Sequence, residues 1–369
     1  MRIHGLDTLR ILAEYVVVQF HIQKWLMNGV IQSETHEMFI TDLMSFFFVL
    51  SGTVCMMNPP LGTTTQFIVS KMCKVAPVYY ICLIWDIISI LTTNDQVNSC
   101  PADGLCIAGH FVLLAQWANC ANKWQGLSWY MQILMTFWII FPFIHKGLKS
   151  FFSTHVWPKL LVLYLLSMSI QYALPFNTKY FAPVNFIGFV MGCGVSQTFE
   201  NPLSPLWCVA GLVGIIVVYV FNHLYLQFQS DACVWLKSNV CDPFDTYGQP
   251  DIEAHTCSTY LVLFGSKMNI VWMLLIHTVA TTPNCLEYEI FKTINNFSLF
   301  VYMFHLKIMH ILIVFSQLCR LPGLFGITFM MPIVYYLSYC VSLLYKWLEN
   351  TVIIFKNIYF ISNKTIIEV

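Results

Sequence analysis

The stretch Gly5-Leu-Asp-Thr-Leu-Arg-Ile-Leu-Ala-Glu-Tyr-Val-Val-Val-Gln-Phe-His21 decides how this chain is read: it is apolar and long enough to cross a bilayer, yet it carries Asp7, Arg10, Glu14 and His21. At the helical period these four side chains fall within about 60° of one another, on one narrow edge. Arg10 and His21 stand about three turns apart, which separates their Cα atoms by roughly 16 Å along that edge. A charge at the centre of lipid costs at least ~2.5–3.5 kcal/mol, so the edge faces protein or a water-filled space, and its ionisable groups read as a site. Ile11, Leu12, Tyr15, Val16 and Val18 are left for lipid or neighbouring helices. The plainer alternative is that Arg10 snorkels, Glu14 neutralises it one turn away, and His21 bridges two helices.

Composition places the rest of the chain in the same environment. Of 369 residues, 58% are hydrophobic and only 10% charged. Mean hydropathy is +0.68. Soluble domains carry roughly 25% charged residues, so this is an all-α, polytopic membrane protein. The net charge of zero gives no basic surface for nucleic acid. The partners implied are membrane lipids and something small. Residues 1–27 read as a retained span, because Glu14 interrupts the apolar run and no small-residue cleavage site follows.

Apolar segments of spanning length predict about ten crossings, near 7–27, 38–57, 76–93, 126–145, 159–175, 184–199, 206–226, 259–280, 294–316 and 326–346. Residues 1–346 thus form a single transmembrane domain, and 347–369 a cytoplasmic tail or interfacial helix. Arg2, Lys71, Lys74, Lys146, Lys149, Lys356 and Lys364 are cytoplasmic if both termini are inside. The two longest loops, near 94–125 and 227–258, then lie outside and are acidic. They hold Cys100, Cys106, Cys120, Cys233, Cys241 and Cys257, which suggests an oxidising lumen or exterior and up to three disulfides, with 15 pairings open. Cys55, Cys82, Cys193, Cys208 and Cys340 sit in apolar spans and read as small buried hydrophobes.

Four stretches, in order, resemble the integral-membrane acyltransferase family three. They are Gly5-Leu-Asp-Thr-Leu-Arg10 followed by His21, Ser45-Phe-Phe-Phe-Val-Leu-Ser-Gly52, Lys71-Met-Cys-Lys-Val-Ala-Pro-Val-Tyr-Tyr80 and Ser298-Leu-Phe-Val-Tyr-Met-Phe-His305. Trp124 through Gln132 and Asn185 through Gly192 are weaker echoes. The chain departs from many bacterial members at Ser128-Trp-Tyr-Met-Gln132, where Tyr130 replaces a carboxylate. That wording is nearer the eukaryotic branch named for nose resistance to fluoxetine, and no role for the carboxylate carries over. The resemblance implies transfer of an acyl group, often acetyl, from acyl-CoA to a hydroxyl of a sugar, glycan or lipid. No bound cofactor is implied; acyl-CoA enters as donor substrate.

Acyl transfer to an alcohol needs a base, because a hydroxyl is a poor nucleophile until it loses its proton. His21 suits that role, since imidazole titrates near neutrality. Arg10 sits towards the cytosolic end, where a guanidinium holds phosphate bidentately, and Glu14 tunes the stripe through it. Lys71 and Lys74, three apart on one helix face, are candidate contacts for the donor phosphates, or simply mark the cytoplasmic side. Ser298, Tyr302 and His305 share one face of the late span, so His305 polarises the acyl carbonyl or positions the acceptor. Gln132 joins Ser298 and Tyr302 as a candidate substrate contact. Ser45 and Ser51 flank an aromatic run that reads as packing.

Other chemistries fit less well. The late span lacks the His-Glu-x-x-His spacing of a zinc site, so no metal is expected. No Gly-x-Ser-x-Gly elbow supports a serine nucleophile. The rival class is a lipid or glycan transporter or flippase, because intramembrane charges also mark transport paths. No pair of related halves or matched broken helices favours it.

Overall fold

A computed structural model describes residues 3–26, 34–60, 62–93, 104–115, 128–173, 182–200, 209, 213, 217, 268–282, 289–318 and 330–350. Every regular element among them is helical. In chain order they are α1 (His4–Leu26), α2 (Glu34–Met57), α3 (Thr64–Thr93), α4 (Gly104–Phe111), α5 (Ser128–Phe151), α6 (Val156–Ala173), α7 (Ala182–Ser196), α8 (Met268–Thr281), α9 (Glu289–Asn295) and α10 (Ser298–Leu318). A last helix, α11, occupies 330–350. Thr64–Trp85 and Trp129–Phe151 are long and apolar enough to cross a membrane. Cys106 falls on α4, whereas the other five loop cysteines, Cys208, the expected 206–226 crossing apart from positions 209, 213 and 217, the second long loop and the chain beyond 350 lie outside the described residues.

The helices turn large apolar side chains both inwards and outwards, as a lipid-facing bundle must. Val17, Val18 and Ile22 of α1 are fully buried, whereas Leu12 and Tyr15 face out. Ile84, Trp85 and Ile88 of α3 and Val162 of α6 are likewise exposed.

The tightest pairing is α2 against α7, which small residues make possible. A Cβ added at Gly52 would collide with the Phe189 carbonyl, and one at Gly192 with the Val49 carbonyl. Thr53 fixes the crossing, its Oγ1 lying 2.9 Å from the Val49 carbonyl and 3.0 Å from that of Gly192. Phe46, Phe47 and Phe48 then fill the space beside it, so the aromatic run does pack as its composition suggested. Around this pair, α1 lies against α2, α8, α9 and α10, while α3 lies against α5 and α10.

Three elements differ from their sequence outline. The third crossing begins at Thr64 rather than 76, and Pro77 sits inside a continuous helix. Proline removes one backbone donor but does not end a helix that packing holds on both sides. The late segment is interrupted: α9 ends at Asn295, the amides of Asn296 and Phe297 bond three residues back, and α10 starts at Ser298. Paired asparagines compete with the helical backbone, which favours a break there. The first long loop also contains a short apolar helix, α4. Tyr79 and Tyr80 donate their hydroxyls to the carbonyls of His110 and Phe111 at its C-terminal end.

Candidate active site

A cavity of about 640 Å³ opens between α1, α2, α3, α5, α9 and α10. Helical periodicity delivers Asp7, Arg10 and Glu14 to it from α1, as expected for an edge that lipid would reject. Lys71 and Lys74 enter from α3, Tyr130 and Trp138 from α5, Asn295 from α9, and Ser298 and Tyr302 from α10. Asn58 and Lys74, both exposed, stand at its outer end.

Arg10 anchors the charged part. Its Nη2 donates to Ser298 Oγ at 3.1 Å, while Nε is buried without a hydrogen-bond partner. Glu14, one turn further in, is 3% exposed and lies within the electrostatic reach of Arg10. Its Oε1 and the Oδ1 of Asn295 are also buried without partners. Unsatisfied polar atoms on the wall of a cavity are groups ready for a ligand or ordered water. At the mouth, Lys71 Nζ stands 5.6 Å from the Phe67 ring centroid and 5.7 Å from that of Trp138. Two aromatic faces hold the ammonium in place without neutralising it.

The inner end is aromatic. Phe47, Tyr130 and Tyr302 line the cavity there, with Tyr130 and Tyr302 edge-to-face at 5.4 Å between centroids. Neither His21 nor His305 lines the cavity. Instead the two rings meet behind Tyr302 with centroids 5.4 Å apart and planes at 41°. His305 is fully buried, and its Nδ1 lies 3.0 Å and 2.9 Å from the carbonyls of Val301 and Tyr302. Carbonyls only accept, so Nδ1 carries the proton and donates. In the neutral ring, Nε2 then keeps its lone pair. That atom is buried with no hydrogen-bond partner.

The pairings Arg10 with Ser298 and His21 with His305 make α1 and α10 run in the same direction. Of the residues singled out from the sequence, Arg10, Glu14, Lys71, Lys74, Ser298 and Tyr302 share the cavity, whereas His21 and His305 meet outside it, beyond Tyr302. Gln132 stands apart: it is fully buried, and its Nε2 donates to the Gly109 carbonyl at 3.4 Å, holding α4. Sequence reasoning passed over Asn295 and Trp138, and assigned Ser51 to packing although it reaches the cavity. Asn295 is marked only by the polar pair at the helix break, and Trp138 by its register one helical face along from Tyr130.

The arrangement places the cationic side chains of Arg10, Lys71 and Lys74 along the cavity and an imidazole pair beyond its aromatic end. No cluster of metal-binding side chains occurs among the described residues. Residues 3–346 match the model of a family described as an acyltransferase domain. No curated protein and no solved structure matches the chain.

Proposed function

This chain belongs to that acyltransferase family and is an acyltransferase, and we propose that it moves an acyl group, acetyl foremost, from acyl-CoA to a hydroxyl of a sugar, glycan or lipid. The observation that carries the reading is the succession from Arg10, Lys71 and Lys74 in the cavity to the His21–His305 pair directly behind Tyr302.

On this reading the donor enters from the cytosol with its phosphates on Lys71, Lys74 and Arg10, and its thioester points inwards. A guanidinium tied to Ser298 presents its remaining donors in a fixed fork, which suits a phosphate better than a free side chain does. The acceptor hydroxyl approaches the histidine pair. His21 takes the hydroxyl proton as the oxygen attacks the thioester carbonyl, the carbon–sulfur bond breaks, and the leaving CoA thiolate collects the proton from the imidazolium. The products are an ester and CoA. His305 acts as a hydrogen-bond acceptor at Nε2, holding the acceptor hydroxyl or the His21 ring in line. Polarising the acyl carbonyl would need a donor, and the neutral ring has committed its proton to the backbone. Glu14 keeps Arg10 in register along the stripe.

The same reading places both termini in the cytosol and the cysteine-rich loops in a lumen or outside, across about ten spans. The parallel run of α1 and α10 supports it, since the first and ninth crossings of such a chain point the same way. Membranes containing the protein, incubated with acyl-labelled acyl-CoA, test the proposal. The outcome expected is label in base-labile ester linkage on a sugar, glycan or lipid, with matching release of CoA. Movement of unmodified solute with no label transferred would contradict it.

A further inference from the structure

The cavity stops short of the histidines, and what stops it is a wall of three rings. Tyr130 meets Tyr302 edge-on at 5.4 Å and Phe47 at 5.7 Å, and Tyr302 lies 6.4 Å from Phe47. All three are 6% exposed. Behind them, His305 lies 6.2 Å from Tyr302, ring to ring, with His21 beyond it. On both helices the residues that line the cavity, Glu14 and Tyr302, come before the histidine. A thioester lying in the cavity is therefore separated from the histidine pair by the Tyr302 ring, whereas the reacting atoms must approach to about 3–3.5 Å.

We propose that the Tyr130–Tyr302 pair, backed by Phe47, is a chain-length gate that admits a two-carbon acyl group to the histidine pair and turns longer ones away. This rests on the acyl-CoA reading of the cavity. To pass a tail of two carbons, Tyr130 and Tyr302, in edge-to-face contact, need part only slightly. Each further methylene must displace a ring that Phe47 and Phe48 support from behind; Phe48 packs on Tyr130 at 4.9 Å. Tyr130 thus takes on a selective task at a position where many members of the resembled family carry a carboxylate. It is a specificity residue, and the reaction it filters is the same transfer from thioester to hydroxyl.

The test uses the full-length protein in lipid nanodiscs and measures CoA release coupled to ester formation from acetyl-, propionyl-, butyryl- and octanoyl-CoA. In the unmodified protein, kcat/KM falls by about tenfold or more for each methylene added beyond acetyl. Tyr130→Ala removes one jamb of the gate and flattens that series, raising the butyryl-to-acetyl ratio by at least about tenfold. Tyr130→Phe keeps the ring and keeps the wild-type ratio. Tyr302→Leu repeats the flattening from the other helix. A flat or rising series in the unmodified protein overturns the gate even where every variant fails to fold, as does an unchanged ratio in well-behaved Tyr130→Ala. Transfer from no acyl-CoA at all is a different result, and it overturns the donor assignment beneath the gate.

Discussion

Replacing Arg10 by lysine separates the guanidinium fork from mere positive charge. Arg10 Nη2 is committed to Ser298 Oγ at 3.1 Å, and Nε is buried without a partner on the cavity wall. Lysine reaches the same region with a single ammonium and cannot keep the serine while gripping an anion with two parallel bonds. The loss is one hydrogen bond to a charged group, about 1.5–3 kcal/mol. At 1.36 kcal/mol per decade, that is about a 10- to 150-fold rise in donor KM. Ser298→Ala removes only a neutral tether, about 0.5–1.5 kcal/mol, and raises donor KM about 2- to 13-fold. Because the serine acts through the arginine, the double variant is scarcely worse than Arg10→Lys alone. Initial rates across an acyl-CoA series at saturating acceptor read all three. Donor KM within about twofold of wild type in Arg10→Lys would refute the fork, and so would a larger effect of Ser298→Ala than of Arg10→Lys.

Other residues give sharp expectations. Gly192→Ala forces α2 and α7 apart against the Val49 carbonyl and strains the Thr53 bond, costing about 1–3 kcal/mol and lowering the unfolding temperature in detergent. Gly147→Ala, with nothing within 4 Å of the added methyl, is neutral or stabilises the helix by about 0.5–1 kcal/mol in the same melt. His305→Gln loses the oriented Nε2 acceptor and lowers kcat about a hundredfold at unchanged donor KM, read from the same steady-state series. On the proposed topology the acceptor sequence Asn363-Lys-Thr365 faces the cytosol and stays free of glycan in eukaryotic cells; a mass shift removed by endoglycosidase would reverse that topology.

The charged edge of α1 was legible in the sequence because one rule, the cost of charge in lipid combined with a 3.6-residue period, leaves Asp7, Arg10 and Glu14 one place to go. The shared face of Ser298, Tyr302 and His305 followed from the same period. What periodicity cannot supply is the partner of each face. The sequence placed His21 and His305 on separate helices, and only the packing of α1 on α10 brings their rings to 5.4 Å. Asn295 escaped notice because the late crossing read as continuous, whereas two asparagines break it beside the cavity. Trp138 escaped because one tryptophan among 11 carries no signal until a lysine is seen stacked on it. Gln132 is the converse case: a polar residue next to a motif looks like a substrate contact, yet it lies outside the cavity lining, with Nε2 on the Gly109 carbonyl of α4 and Oε1 buried without a partner. The tautomer of His305 was also beyond sequence, since it follows from two backbone carbonyls one turn back.

The most direct measurement is single-turnover transfer from acyl-labelled acyl-CoA by protein carrying His21→Ala, with donor binding followed in parallel. Loss of a general base removes about 10²–10⁴ of the rate while leaving donor affinity at its wild-type value. Ester formation at the wild-type rate in that variant, in protein that reaches the membrane and binds donor, would contradict the assignment of His21 as the group that takes the proton.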